Sequence, residues 1–296
     1  MENAPVAKLT VKAFFARFPN DGACLAHIME VRYGLRHDCG ACGVEATIHK
    51  LTGRRAYSCA ACGHHVYPCA GTILQDSRTS LVSWFYAIYL FVTTRHGVSA
   101  KELERQLGVT YKTAWRMGQQ IRQLAAKADI AEMLTGHVEA DEAYVGGKRS
   151  GDKRGRGAPG KTIVVGLAER GGAVRAMVAG DVKKATLRAI VNANVEKGAT
   201  VSTNELASYN LLTGDGYTHD AVKHGEREYS YYDRHAGVTH HVNSVESFWR
   251  LFKQSIASTH IYVSAKYMDR YFSEFTFRAN HRQRGNAMFD LLVGAL

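Results

Sequence analysis

The sequence lacks any uninterrupted apolar run of about 18 residues, the length that a membrane-spanning helix requires. The longest apolar stretch, "SLVSWFYAIYLFVTT" (80–94), is too short and carries polar residues. The N-terminus has no basic start followed by an apolar core, so no secretory signal is expected. The expected setting is therefore cytoplasmic, with thiols kept reduced. No strand–loop–helix pattern ends in Gly-Lys-Ser/Thr, which excludes a Walker phosphate loop. Acidic residues are in deficit, 27 Asp and Glu against 38 Lys and Arg, for a net charge of +11. That balance favours a polyanionic partner, nucleic acid before anionic membrane. A hydrophobic content of 46% with 22% charged residues fits an ordinary globular protein, and 296 residues suit two or three domains.

Four of the six cysteines read "CGAC" (Cys39, Cys42) and "CAAC" (Cys59, Cys62), the two pairs separated by residues 43–58. This is zinc-ribbon spacing: two knuckles whose thiolates close one tetrahedral site. Gly40, Gly43 and Gly63 suit the knuckle turns. Between the pairs, "VEATIHKLTGRRAYS" predicts two short strands around a "TGRR" turn. A structural Zn²⁺ there contributes about 10–16 kcal/mol of apparent folding free energy. The alternative is a pair of redox Cys-x-x-Cys motifs. Cys24 falls in a helical pattern as a core residue, and His64 and His65 are expected at the surface beside the knuckle.

Residues 76–130 read as helical. "SLVSWFYAIYLFVTT" is apolar nearly all round and predicts a buried helix. In "GVSAKELERQLGVTYKTAWRMGQQIRQLAAKA", Ser99 and Glu102 form a capping-box pattern, Gly108 breaks the helix and Thr110 caps a second one. Two helices joined by a glycine turn describe a helix-turn-helix. The second presents Tyr111, Lys112, Thr113, Arg116 and Gln119, residue types suited to phosphate and base-edge contacts in duplex DNA. A plain packing hairpin is the alternative.

In the third region, "HVEADEAYVG" predicts a strand that delivers Asp141 and Glu142 near its end. Two further strands, a helix, the short strand "ATVST", Asn204 and another helix follow. The order β-β-β-α-β-α is that of an RNase H-like fold, whose acidic residues converge only in three dimensions. On the later helix "HVNSVESFWRLFKQSIAS", Glu246 and Lys253 lie two turns apart on one face. Glu246 would join Asp141 in an acidic cluster, and Lys253 would contact a phosphate. Soon after Asp141 in sequence runs "GGKRSGDKRGRGAPGK" (146–161), where Lys148, Arg149, Lys153, Arg154, Arg156 and Lys161 face only Asp152. It reads as a phosphate clamp that orders on DNA.

"VEADEAYVGGK", the basic loop after it, "HVNSVESFWRLFK" and "YFSEFTFRANHR" together resemble bacterial insertion-sequence transposases, the zinc-ribbon DDE group called the IS fifteen-ninety-five family. The resemblance extends upstream to the ribbon and "CAGTIL", and so covers most of the chain. It implies that Asp141, position 204 and Glu246 hold two Mg²⁺ or Mn²⁺ ions, with Lys253 beside them. It implies a nicking and strand-transfer reaction on transposon terminal repeats and target DNA by two-metal phosphoryl transfer. It further implies a homodimer on paired ends and a nucleoid-associated bacterial protein. The departure is Asn204, where the family has Asp. An amide offers a neutral oxygen in place of an anion, so the chain as written is expected to bind DNA but cleave and join it poorly. A deliberate Asp-to-Asn exchange that traps a DNA complex and a decayed natural copy both leave this pattern; the intact neighbouring motifs favour the former.

The expected architecture is α+β and multidomain: an N-terminal helix plus zinc ribbon (1–75), a helix-turn-helix segment (76–132) and an RNase H-like catalytic domain (133–296). A DNA-binding regulator with a decayed nuclease domain is the alternative of a different class. A nuclease of the same fold that cleaves without joining is another.

Overall fold

The computed structural model describes residues 9–34, 36–130, 132–146, 161–222, 229–234 and 237–296. The chain forms two compact units, Met1–Ala128 with Arg282–Leu296, and Asp129–His281. This differs from the expected division at residues 75 and 132. Ribbon and helical segment share one unit, and the C-terminal residues return to it. The cause is an aromatic cluster: Phe289, near the C-terminus, packs its ring 5.6 Å from Phe18, 5.8 Å from Phe85 and 6.0 Å from Phe14.

In the first unit, α1 (Val11–Arg17) and α2 (Asp21–Tyr33) start at Thr10 and Asn20, whose side chains accept from Ala13 N and Ala23 N. The ribbon follows as β1 (Arg36–Asp38), β2 (Glu45–Lys50), β3 (Tyr57–Cys59) and β4 (His65–Val66), an antiparallel sheet in sequence order. Helix α3 (Leu81–Thr93) is buried over most of its length, as its all-round apolarity predicts. Helices α4 (Ala100–Leu107) and α5 (Tyr111–Ala128) meet at Gly108, whose φ of +64° only glycine adopts at little cost. Half of the expected capping box forms: Ser99 Oγ accepts from Glu102 N at 3.1 Å, while the Glu102 carboxylate accepts from Gln106 Nε2. Among the described residues, no helix is long and apolar enough to cross a membrane.

The second unit is built on a five-stranded sheet of order β7-β6-β5-β8-β9. Its strands are β5 (His137–Val145), β6 (Thr162–Glu169), β7 (Val174–Val178), β8 (Thr200–Asn204) and β9 (Thr218–Val222). Strands β5, β8 and β9 run parallel, and β6 runs against β5 and β7. Helix α6 (Lys184–Asn194) connects β7 to β8 and buries Leu187 and Val191 in a core with Val138, Val165 and Val201. Helices α7 (Asn243–Ser255) and α8 (Met268–Asn280) cover the other face, where Val245, Trp249 and Phe252 pack with Ala143, Val164 and Phe272. A hairpin of β10 (Tyr231–Asp233) and β11 (Val238–His240) precedes α7. Helix α9 (Ala287–Gly294) is the element that returns to the first unit.

The helix expected after Asn204 is absent. Two single 3₁₀ turns, Ala207–Tyr209 and Thr213–Asp215, stand there instead, followed by β9. Tyr209 and Leu212 are both buried in the core at a three-residue spacing, and Gly216 at φ +89° turns the chain into β9.

Gly166, opposite Asp141 in the β5–β6 register, allows α7 to lie close on the sheet. A Cβ there would sit 2.6 Å from Trp249 Cζ2 and 2.8 Å from Val245 Cγ2. Gly166→Ala is therefore expected to destabilise the chain by about 1–3 kcal/mol through overpacking, measured as a lower urea midpoint at unchanged m-value.

Candidate active site

Side chains alternate along β5, so His137, Glu139 and Asp141 share the face under α7. Strand β8 runs parallel beside it, with Glu139 opposite Ser202, which brings Asn204, the last residue of β8, alongside Asp141 in the middle of β5. The Asn204 Nδ2 amide donates to Asp141 Oδ1 at 2.9 Å and to Glu142 Oε2 at 3.2 Å, while its Oδ1 accepts from Leu206 N at 3.0 Å. Only this amide orientation satisfies all three contacts. Glu246, in the first turn of α7, adds a third carboxylate. Burial first, then the charges of Glu142 and Glu246, push the Asp141 carboxyl up to about 7, even though the Asn204 bond opposes the shift.

The residue types fit divalent cations. Crowded carboxylates that hold a proton near neutrality are short of positive charge, and hard cations prefer such oxygens. Asn204 fits less well than an acid, because its donor side faces the cluster and its oxygen is engaged by the backbone. Lys253 lies two turns along α7. Packing around it lowers its amine from the ordinary lysine range; Asp141 works against that shift and Lys161 adds to it. Lys161, the basic residue of the 146–161 segment that lies among the described residues, is felt at Lys253. Lys148, Arg149, Lys153, Arg154 and Arg156 lie outside the described residues.

Glu139, which composition and spacing did not single out, organises this end of the unit. It is fully buried. Its Oε2 accepts from Ser244 N at 2.7 Å and Val245 N at 3.2 Å. Its Oε1 accepts from Ser244 Oγ at 3.0 Å and Arg170 Nε at 3.1 Å, with His241 Nδ1 at 2.9 Å. Helix α7 has no capping side chain of its own, so a carboxylate from β5 satisfies its first amides and opposes its dipole. Arg170 also donates to Thr239 O, and to His241 O at 3.1 Å. The period of two in "HVEADE" was the available signal for Glu139; the turn residue Arg170 carried none.

The four ribbon sulfurs all lie within 4.8 Å of one another, with Cys39 Sγ 3.6 Å from Cys62 Sγ. The knuckles repeat each other. Gly43 N donates to Cys39 O and Gly63 N to Cys59 O, with φ of +67° and +74° at the glycines. Backbone N–H groups of Ala41 and Cys42 lower the Cys39 thiol to about 6. Four thiols at this spacing fit a tetrahedral Zn²⁺.

On α5, Tyr111, Lys112 and Arg116 are exposed and Thr113 is half-buried. Gln119 is not available to a partner: it is 2% exposed. It shares the helix face of Lys112 and Arg116, but α5 is enclosed in its second half, where Met117, Gly118, Ile121 and Arg122 are also buried. The expectation that Gln119 contacts DNA is therefore corrected.

Two outcomes follow from this geometry. Removing Glu139 strands the Arg170 charge and the α7 amides, so Glu139→Ala is expected to cost about 3–5 kcal/mol, checked by chemical denaturation. The folded Asp141 titrates near 7 and an unfolded aspartate near 3.9. The folded state therefore holds the extra proton between those values, and this group's contribution to stability falls as pH rises from about 4 to 7. Without Mg²⁺ or Mn²⁺, Asp141→Asn is expected to raise the urea midpoint at pH 8 and to change it little at pH 4.

The descriptions of two sequence families match this chain, "ISXO2-like transposase domain" over residues 133–280 and "Transposase zinc-ribbon domain" over residues 19–65. A protein in transposable element ISH50 of Halobacterium salinarum is 30% identical over 258 residues, covering 81% of this chain and 84% of that protein. Among solved structures, a pre-cleavage Mos1 transpososome aligns at 13% identity and a TM-score of 0.26, over 71% of this chain and 77% of that one. The Mos1 strand transfer complex aligns at 12% and 0.25 over the same shares. Both likenesses are too slight to argue from. The family matches and the halobacterial relative agree with the ribbon and the acidic sheet end, and the chain belongs to the zinc-ribbon, ISXO2-like transposases of insertion sequences.

Proposed function

We propose that the chain binds the ends of an insertion sequence, nicks them and joins the freed 3′-hydroxyl to target DNA, and that Asn204 holds this activity low. The observation that carries the reading is the convergence of Asp141 and Glu142 from the middle of β5, Asn204 from the end of β8 and Glu246 from the first turn of α7. The strand order β7-β6-β5-β8-β9, with β6 reversed, supports an RNase H-like domain. Two Mg²⁺ or Mn²⁺ ions, when bound, would supply activation of a water or 3′-hydroxyl and stabilisation of the leaving oxygen. Asp141 and Glu246 would hold them. At position 204 an aspartate would add an anionic oxygen. Asn204 instead donates into the cluster, and it must give up the Leu206 N–H bond to turn an oxygen inward.

Lys253 beside Asp141 supports a role in holding a DNA phosphate. Tyr111, Lys112, Thr113 and Arg116 at the start of α5 suit duplex contacts, and the basic 146–161 segment adjoins β5 in sequence. Because two ends must be cut, a homodimer on paired ends is part of the proposal. One observation favours a second reading, a DNA-binding regulator with a decayed nuclease domain: the Asn204 amide donates to Asp141 and Glu142, occupying with hydrogens the place where an aspartate would offer a ligand oxygen.

Restoring the acid separates the two. With duplexes carrying the ends that flank the gene, Asn204→Asp is expected to raise Mg²⁺- or Mn²⁺-dependent nicking and joining at least 10–100-fold, the scale of lost supporting contacts at metal sites. Binding of those ends should be comparable in both proteins. No gain in nicking, with binding intact, would favour the regulator. Cleavage without joining would leave a nuclease.

A further inference from the structure

A second group of ligand-type side chains lies on the same sheet face but does not belong to the Asp141 centre. Asp220 on β9, Asp233 on β10 and His240 on β11 offer oxygen and nitrogen atoms that all lie within 4.8 Å of one another. In the β10–β11 register Tyr231 faces His240 and Asp233 faces Val238, so Asp233 and His240 share one face of the hairpin. Asp220 is opposite Ser202, two residues before Asn204 and about 7 Å along the strand from it.

His240 is held as a pre-set ligand. It is 1% exposed, and the Tyr231 ring stacks on it at 5.0 Å and 21°. Its Nδ1 is 2.9 Å from Ser202 Oγ, which is itself 2.6 Å from His137 Nε2. Arg170 Nη1, which can only donate, sits 3.1 Å from His137 Nδ1. His137 therefore accepts at Nδ1 and carries its proton at Nε2, which it donates to Ser202. A hydroxyl has two acceptor lone pairs, so Ser202 can also accept from His240 Nδ1–H. Ser202 can equally donate its own proton to His240 Nδ1; in the arrangement where it accepts, His240 Nε2 is bare toward the carboxylates, and that is the tautomer a bound cation selects. Nε2 and Asp220 Oδ2 are 4.0 Å apart, beyond a hydrogen bond but close to the spacing of two ligands on one cation. The other Asp220 oxygen is engaged by Ala221 N at 2.8 Å. A ring nitrogen fixed by a partner on its far side is the usual support of a metal-binding histidine.

We propose that Asp220, Asp233 and His240 form a metal site for one divalent transition-metal cation of the Mn²⁺ to Zn²⁺ type. Two carboxylates and an imidazole make a mixed oxygen–nitrogen set, which suits those ions better than Mg²⁺, whose preference is for oxygen alone. The partly exposed Asp220 gives the ion a path from solvent. Bound there, it would tie the β10–β11 hairpin, which leads into α7, to the strand next to β8. The site does not depend on the transposition reading.

Mn²⁺ binding tests it, with the ribbon first loaded with Zn²⁺. In an Asp141→Ala/Glu246→Ala chain, which removes the Asp141 centre, one equivalent of Mn²⁺ should remain bound by electron paramagnetic resonance. Its spin-echo modulation should show one coordinated imidazole nitrogen. Adding Asp220→Asn and Asp233→Asn, near-isosteric changes at partly exposed positions, should abolish both signals with the far-ultraviolet circular dichroism unchanged. No bound Mn²⁺ in the first chain, bound Mn²⁺ without nitrogen modulation, or a signal that survives the added changes would each overturn the assignment. None of these readouts requires DNA cleavage, so failure here is distinct from failure of the transposase reading.

Discussion

The buried Glu139 carboxylate is the contact on which the candidate active-site region of the second unit depends. An ionised group fully out of water is tolerated only when donors surround it, and five groups on three segments do so here. Those segments are the β6–β7 turn through Arg170, the approach to α7 through His241, and the first turn of α7. Because Glu139 lies two residues from Asp141 on the same strand face, the anchor that seats α7 also sets where Glu246 stands relative to Asp141. Gly166 completes the fit by letting Trp249 and Val245 approach the sheet.

Two kinds of carboxylate thus sit side by side. Glu139 is matched by donors and serves structure. Asp141 is crowded by Glu142 and Glu246 and is held near neutrality in its proton affinity, a cost accepted at sites that bind cations. Asn204 softens that crowding from within. Its amide hydrogens occupy the region between two carboxylates where an aspartate would add a further negative charge. A single change of side chain therefore alters the charge of the cluster and with it the stability of this part of the unit.

The ribbon shows the opposite logic. Its core is small, with Cys39, Ala46 and Cys59 buried and Ile48 packed against them, so the thiols carry the burden that apolar area carries elsewhere. The two knuckles are local structures fixed by backbone hydrogen bonds and positive-φ glycines, which is why they can be read from spacing alone.

What the sequence determined by itself is what depends on local pattern. The Cys-x-x-Cys pairs, the all-round apolar α3, the Gly108 break between α4 and α5, and the strand that carries Asp141 and Glu142, which runs on to Val145 rather than ending near them, are each governed by neighbours within a few residues. The placement of Asp141, Asn204, Glu246 and Lys253 in one list came from resemblance, and their convergence needed the parallel pairing of β5 with β8 and the seating of α7. Tertiary structure alone decided the rest. Burial of Tyr209 and Leu212 replaced an expected helix with 3₁₀ turns. Enclosure of the second half of α5 removed Gln119 from the surface. The Phe14, Phe18, Phe85 and Phe289 cluster drew the C-terminal residues into the first unit. Glu139, Arg170 and Ser202 acquired their roles from residues as many as 106 positions away. No periodicity encodes such partners, because hydrogen bonds and packing across a sheet depend on which strands become neighbours.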